Sequence, residues 1–331
     1  MNDRAIGLLD QYDIEVLRTR KGRGAILCDT EKGVLIFMEY QGPKAKVKLQ
    51  SSLLEQIGGS GVLPVEQIVP TREGELLVQD GDGVSYILKT HFEGRECNFL
   101  DMQDCLRGVR TLAKLHSVMR LGESELTEQA PVYLLEKEYE KHNRELTKVR
   151  RFLSEKRQKN GFERYLLQEY DYFLDQAGDV LQQWKDFVLP EDYAYLRREG
   201  IFCHGDYQYH NIIDTGSGQA VIHFERCIMD DQIRDLYLFM RKLLEKSCWS
   251  RDLGERLLQT YSAVQPLSAR SFVALYYRLA YPEKFWKIAN FYYNSGKAWI
   301  PEKNMEKLQK VVEQERAKQA FLDGVFRRVS V

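Results

Sequence analysis

Cys203-His204-Gly205-Asp206-Tyr207-Gln208-Tyr209-His210-Asn211-Ile212-Ile213, continued by Val221-Ile222-His223-Phe224-Glu225-Arg226, decides how the rest of the chain is read. His204, Asp206 and Asn211 fall in the spacing H-x-D-x-x-x-x-N. In phosphoryl transfer that spacing serves an aspartate that accepts the proton of an attacking hydroxyl and an asparagine that holds a metal ion. Asp214 to Gly218 is turn material, because its glycines supply the positive φ of a tight turn, so Ile212-Ile213 and Gln219 to Phe224 read as a hairpin. The second strand of such a hairpin delivers a metal-binding aspartate beside Phe224, but here the residue is His223. Mg²⁺ prefers anionic oxygen ligands, and neutral imidazole is a poor substitute. Glu225 is the nearest carboxylate that could take the ion, although alternation along a strand leaves its direction open.

Upstream, residues 4 to 12 suit a short amphipathic helix, and three β-rich runs follow, ending in Val34 to Tyr40. This resembles the start of a kinase small lobe. Arg20-Lys21-Gly22-Arg23-Gly24 lacks G-x-G-x-x-G and reads as a basic hairpin turn rather than a phosphate cover. A kinase carries a lysine on the third strand, paired with the nucleotide phosphates and with a glutamate from the next helix. Met38 occupies that position, and a thioether supplies neither charge nor donors. Lys44, Lys46 and Lys48 follow the strand-ending Gly42-Pro43 and read as a solvated basic face. Leu49 to Ile57 is the expected helix, with Glu55 as the candidate glutamate, left without its lysine. Short strands at Gln67 to Val69, Leu76 to Val78 and Tyr86 to Leu88 complete a sheet of about five. Asp80 to Gly83 is a hairpin turn between two of them, since it lacks the closing glutamate of a calcium loop. Lys89 to Arg95 is the expected connection between lobes, where adenine would meet the backbone.

Beyond residue 100 the apolar period changes to 3.6, and Val109, Leu112, Ala113 and His116 share one helical face. A histidine on such a face is a hydrogen-bonded core residue more often than a ligand. Residues 133 to 187 predict two long helices with a charged outer surface and a stripe of Tyr165, Leu166, Tyr170, Phe173 and Leu174. Asp235 suits two roles, an anionic acceptor beneath the catalytic loop or a helix N-cap. Residues 251 to 280 are helical, and a helix from 303 to 323 closes the chain. In between, Trp286, Tyr292, Tyr293 and Trp299 are expected to pack the C-terminal helices on the catalytic lobe. The fold class that results is α+β and two-lobed, with a small antiparallel β lobe at 1–90 and a helical lobe at 91–331.

Composition narrows the function. A formal charge of -1, with acidic and basic residues balanced, argues against a nucleic-acid partner. The longest apolar runs, about five residues, are far below a membrane span. Asp3, Asp10 and Asp13 stand where a secretory signal would be basic and then apolar. Six scattered cysteines without a C-x-x-C pair fit reduced thiols, and cytoplasmic synthesis is expected.

Three stretches together, His204-Gly205-Asp206-Tyr207 with Tyr209-His210-Asn211, Asp235-Leu236 with Phe239 to Lys242, and Tyr281-Pro282 through Trp299, resemble the CotS family of spore-coat proteins. That family belongs to the aminoglycoside phosphotransferase and choline kinase division of the kinase fold. The last stretch, Y-P-x-K-F-W-K…N-x-Y-Y-N…K-x-W, is the narrow signature, and the resemblance covers nearly the whole chain. It implies a nucleotide cleft between two lobes, location in the spore coat and coat proteins as partners. The family pattern carries over at Asp206 as base and Asn211 as metal ligand, and departs at Met38 and His223. ATP and Mg²⁺ are therefore cofactors only of an active enzyme. Two readings stand: a catalytically impaired, pseudokinase-like protein of coat assembly, and an active ATP- and Mg²⁺-dependent phosphotransferase on a small molecule, sugar or coat protein.

Overall fold

A computed structural model describes residues 3–22, 24–122, 126, 131–295 and 302–326. The chain opens with a 3-10 helix, Asp3–Gln11, where an amphipathic helix is expected. Strands β1 (Val16–Lys21), β2 (Ala25–Thr30) and β3 (Gly33–Glu39) form an antiparallel meander. Pro43 then starts helix α1 (Lys44–Gly59), and β4 (Val78–Gln79) and β5 (Ser85–Thr90) complete a five-stranded sheet of order β1-β2-β3-β5-β4. The expected strand at Gln67 to Val69 is reduced to one bridge, Ile68 to Lys89. The turn at Asp80 forms as expected, with its carboxylate accepting the Asp82 and Val84 N–H groups. Ala5, Leu9 and Tyr12 pack on one face of the sheet with Cys28, Leu35, Phe37, Tyr86 and Leu88, so the burial of this cluster fixes the sheet's register.

Helix α2 (Met102–Val118) is capped by Asp101, which accepts the Gln103 and Asp104 N–H groups. Its Val109, Leu112, Ala113 and His116 are fully buried, as their spacing requires. Two long helices follow, α3 (Leu135–Glu155) and α4 (Gly161–Phe187), the second held by a capping box between Asn160 and Glu163. After α5 (Pro190–Arg198) a second sheet joins β6 (Arg95–Glu96), β7 (Ile212–Asp214) and β8 (Gln219–Val221), the last two being the hairpin read from the catalytic stretch. Helices α6 (Ile233–Lys246), α7 (Arg251–Ser262), α8 (Ala269–Ala280), α9 (Glu283–Asn294) and α10 (Glu302–Phe326) end the chain.

The chain divides into two compact units. The first comprises 1–131, 196–235 and 260–265, and the second 132–195, 236–259 and 266–331. Within the first unit β6 pairs with β7, and Val65 bridges to Val221. In the second unit Trp286 is half-buried against the His142 ring of α3, with centroids 3.4 Å apart, and its Nε1–H donates to Glu145. Tyr292 is buried and donates to Glu163 of α4, and Tyr293 meets Phe152 of α3 edge-on. These rings pack α9 on α3 and α4. Trp299 lies outside the described residues.

Candidate active site

All the site residues read from the sequence lie in the first unit. The catalytic loop is held from below by Asp235, in the first turn of α6. Its two oxygens accept the backbone N–H groups of His204, at 2.6 Å, and Gly205, at 2.8 Å. Oδ2 also faces His116 Nε2 at 3.2 Å, and His116 Nδ1 lies 2.6 Å from the Tyr261 hydroxyl. Asp235 and His116 are fully buried. Burial works against the carboxylate charge, but the donors around it prevail and hold its pKa below the usual value. Of the two roles open to Asp235, the geometry is that of the acceptor beneath the loop.

His204 is a positioning group. Its Nδ1 accepts the Asp206 N–H, which leaves Nε2–H to donate to the Ile222 carbonyl at 2.9 Å. Gly205 has φ +78°, and a Cβ there would lie 2.1 Å from the Arg226 carbonyl oxygen, so only glycine fits. Asp206 is mostly buried, accepts from the Gln208 side chain and lies 3.9 Å from Arg226 Nη1. Asn211 is buried and its Nδ2 donates to the Asp206 carbonyl.

Met38 is half-buried on β3, paired with Ala25 and Ile87. Glu55 is exposed and accepts from Ser51. The inward face of α1 is Val47, Gln50, Ser51 and Leu54, so the helix phase turns Glu55 outward. It is not brought to Met38, and a helix glutamate paired to the sheet is absent among the described residues.

The cation of this site is one that the sequence reading assigned to the connection between lobes. Lys89 is the second-last residue of β5, directly opposite Ile36 of β3, and is 1% exposed. Its ammonium donates to Glu66 at 2.9 Å and to Glu225. Glu66 is itself buried, and its other oxygen accepts the Phe224 N–H at 2.9 Å. Val65 bridges to β8 and Ile68 to β5, so the segment carrying Glu66 lies between the two. Burial opposes the charge of Lys89, but the two carboxylates more than offset it and raise its pKa above the ordinary lysine value. The signal in the sequence was the direct run of Lys89 from Tyr86-Ile87-Leu88 with no turn residue between, which extends the strand by one position.

His223 takes the left-handed conformation, φ 68° and ψ 55°, and lies with Nδ1 3.7 Å from Glu225. That carboxylate raises the imidazole pKa, while burial acts the other way. Glu225, despite burial, is held below the usual carboxylate range by His223 and Lys89.

These groups depart from the magnesium–nucleotide set of a kinase at the third-strand lysine, which is Met38, and at the metal aspartate, which is His223. The buried Lys89 is held by two carboxylates of the chain and the metal-aspartate position is an imidazole, while Asn211 meets the loop backbone through Nδ2, and its other amide atom, Oδ1, is the one that would hold a metal.

A five-stranded sheet, a helix after its third strand and an H-x-D-x-x-x-x-N loop backed by a buried aspartate define a protein of the kinase-like fold. Solved structures agree: an aminoglycoside phosphotransferase from Alicyclobacillus acidocaldarius has a TM-score of 0.82 at 20% identity, over 97% of this chain and 95% of that one. A spectinomycin phosphotransferase, solved with ADP and spectinomycin, has a TM-score of 0.67 at 14% identity, over 97% and 98%. The family profile described as "Spore coat putative kinase YutH" matches residues 6–325, and the chain belongs to that family. Spore coat protein S of Bacillus subtilis is 27% identical over 164 residues, 49% of this chain and 47% of the relative. The endospore coat-associated protein YutH of the same organism is 28% identical over 139 residues, 41% and 40%. The matched stretches thus span less than half the length of these relatives.

Proposed function

We propose that this protein is a kinase-fold component of the spore coat that does not carry out MgATP-dependent phosphotransfer and acts in coat assembly by binding coat proteins. The observation that carries this reading is the pairing of Lys89 with Glu66 and Glu225, next to His223 in place of a carboxylate. Membership in a coat family supports the location. Asp206 and Asn211 keep the loop's shape, and His204 and Asp235 hold it, so the architecture outlasts the chemistry.

The second reading, an active phosphotransferase with Asp206 as base, rests on the approach of Glu66, His223 and Glu225, whose ligand atoms lie within 4.8 Å of one another. It requires Lys89 to leave them. The two readings separate on wild-type protein with millimolar MgATP. A ligand at about 100 times its Kd stabilises the fold by about 2.7 kcal/mol, a rise of several degrees in Tm. We expect no such rise and no phosphate transfer above that of Asp206→Asn. A magnesium-dependent rise with turnover that Asp206→Asn abolishes refutes the proposal.

A further inference from the structure

Lys89 donates to two of three residues that together could hold a metal ion. One ligand atom each from Glu66, His223 and Glu225 lies within 4.8 Å of the others, a span that a single ion bridges at the usual bond lengths of about 2.0–2.5 Å. The Lys89 ammonium donates to two of these three residues, through Glu66 Oε2 and Glu225 Oε1, while His223 faces Glu225 Oε2. The donors are prearranged as metal ligands are. Glu66 is fixed through its second oxygen by the Phe224 N–H, and its carboxylate is 2% exposed. His223 and Glu225 come from one short segment whose turn at Phe224–Arg226 places them on the same side, 3.7 Å apart.

We propose that Glu66, His223 and Glu225 form a latent divalent-cation site whose occupant in the native protein is the chain's own Lys89 ammonium, a built-in replacement for a metal ion. Two carboxylates and an imidazole suit Mn²⁺, Co²⁺ or Zn²⁺ better than Mg²⁺, which favours oxygen alone. The proposal rests on the reading that the native site does not use MgATP, and it explains that property: the ammonium neutralises the carboxylates without offering an open coordination position. A purely structural ion pair differs in its consequence. Removing its cation leaves two buried carboxylates and a weaker fold, and nothing that a metal repairs.

The experiment uses full-length protein, with Co²⁺ and Mn²⁺ alone as probes. Wild type, Lys89→Ala and Lys89→Met are titrated by calorimetry and by thermal melting, and Co²⁺ adds the visible spectrum of a protein-bound ion. The expected result is one ion per chain in both lysine variants, a Tm that rises with metal, and no comparable binding by wild type. Adding Glu225→Gln to Lys89→Ala should weaken binding by about tenfold or more. Where a lysine variant does not fold alone, refolding with Co²⁺ should recover it. Lysine variants that bind no better than wild type, binding indifferent to Glu225→Gln, or failure of Co²⁺ to restore unfolded variants each overturn the proposal. MgATP turnover by wild type refutes the functional reading alone, since the lysine variants are scored on metal without nucleotide.

Discussion

Replacing Asp235 separates an anchor from a helix cap. The carboxylate receives three donors: the N–H groups of His204 and Gly205 and the ring of His116. Hydrogen bonds to a charged group contribute about 1.5–3 kcal/mol each, and leaving buried donors unpaired costs about 1–3 kcal/mol more. Because the three share one acceptor they do not add, and about 3–5 kcal/mol is the expected loss for Asp235→Ala. Asp235→Asn is the sharper test. An N-cap accepts asparagine nearly as well as aspartate, whereas here the amide turns one of the two oxygens into a donor facing donors. Urea unfolding, followed by circular dichroism, should therefore show Asn about as destabilising as Ala. In a double-mutant cycle, His116→Phe should couple to Asp235→Ala by about 1 kcal/mol or more, since they share a bond. A loss below about 1 kcal/mol for Asp235→Asn would refute the argument that this carboxylate holds the loop.

Gly205→Ala forces a side chain into φ +78° and against the Arg226 carbonyl; a loss of about 2–4 kcal/mol in urea is expected, and a neutral result would mean that the turn relaxes freely. Trp286 is half-buried, so Trp286→Ala should cost about 2 kcal/mol, less than the ~3–5 of a fully buried aromatic, while Trp286→Phe keeps the stack on His142 and should cost about 1 kcal/mol by chemical denaturation. His142 is held by burial at a pKa of about 4, below its ordinary 6.5, with Glu283 and Glu145 acting in the opposite direction. Its neutral form therefore stabilises the fold fully above about 6.5, and this contribution is lost as pH falls toward 4. Tm should drop less between pH 7 and pH 5 in His142→Phe than in wild type, and parallel curves would contradict this assignment.

What the sequence made readable was whatever depends on local spacing. The loop from His204 to Asn211, the hairpin after it and the buried face of α2 are each set by residues close together in the chain, where turn chemistry and period carry the signal. Lys89 was assigned to a connection because its meaning depends on Glu66, 23 positions before it, and Glu225, 136 after it. A lone lysine at a strand end ordinarily reaches solvent, and no local pattern shows that two carboxylates will enclose it. Glu55 is the expected glutamate of its helix, but the phase of α1, decided by Val47, Gln50 and Leu54, turns it outward. Met38 and His223 are legible as departures from the motif, whereas the burial of Lys89 between two carboxylates is not.

The first unit is assembled from three separate stretches of chain. Lys89 leaves the ribosome well before Glu225, with 136 positions between them. At ~5–20 residues per second this is a delay of roughly 7–27 s. Through that interval the nascent sheet carries a lysine whose partners have not all been made, and Val65 has no Val221 to pair with. The five-stranded sheet and its core are complete in sequence by Thr90, so what waits for the catalytic stretch is the second carboxylate of Lys89 and the pairing of Val65.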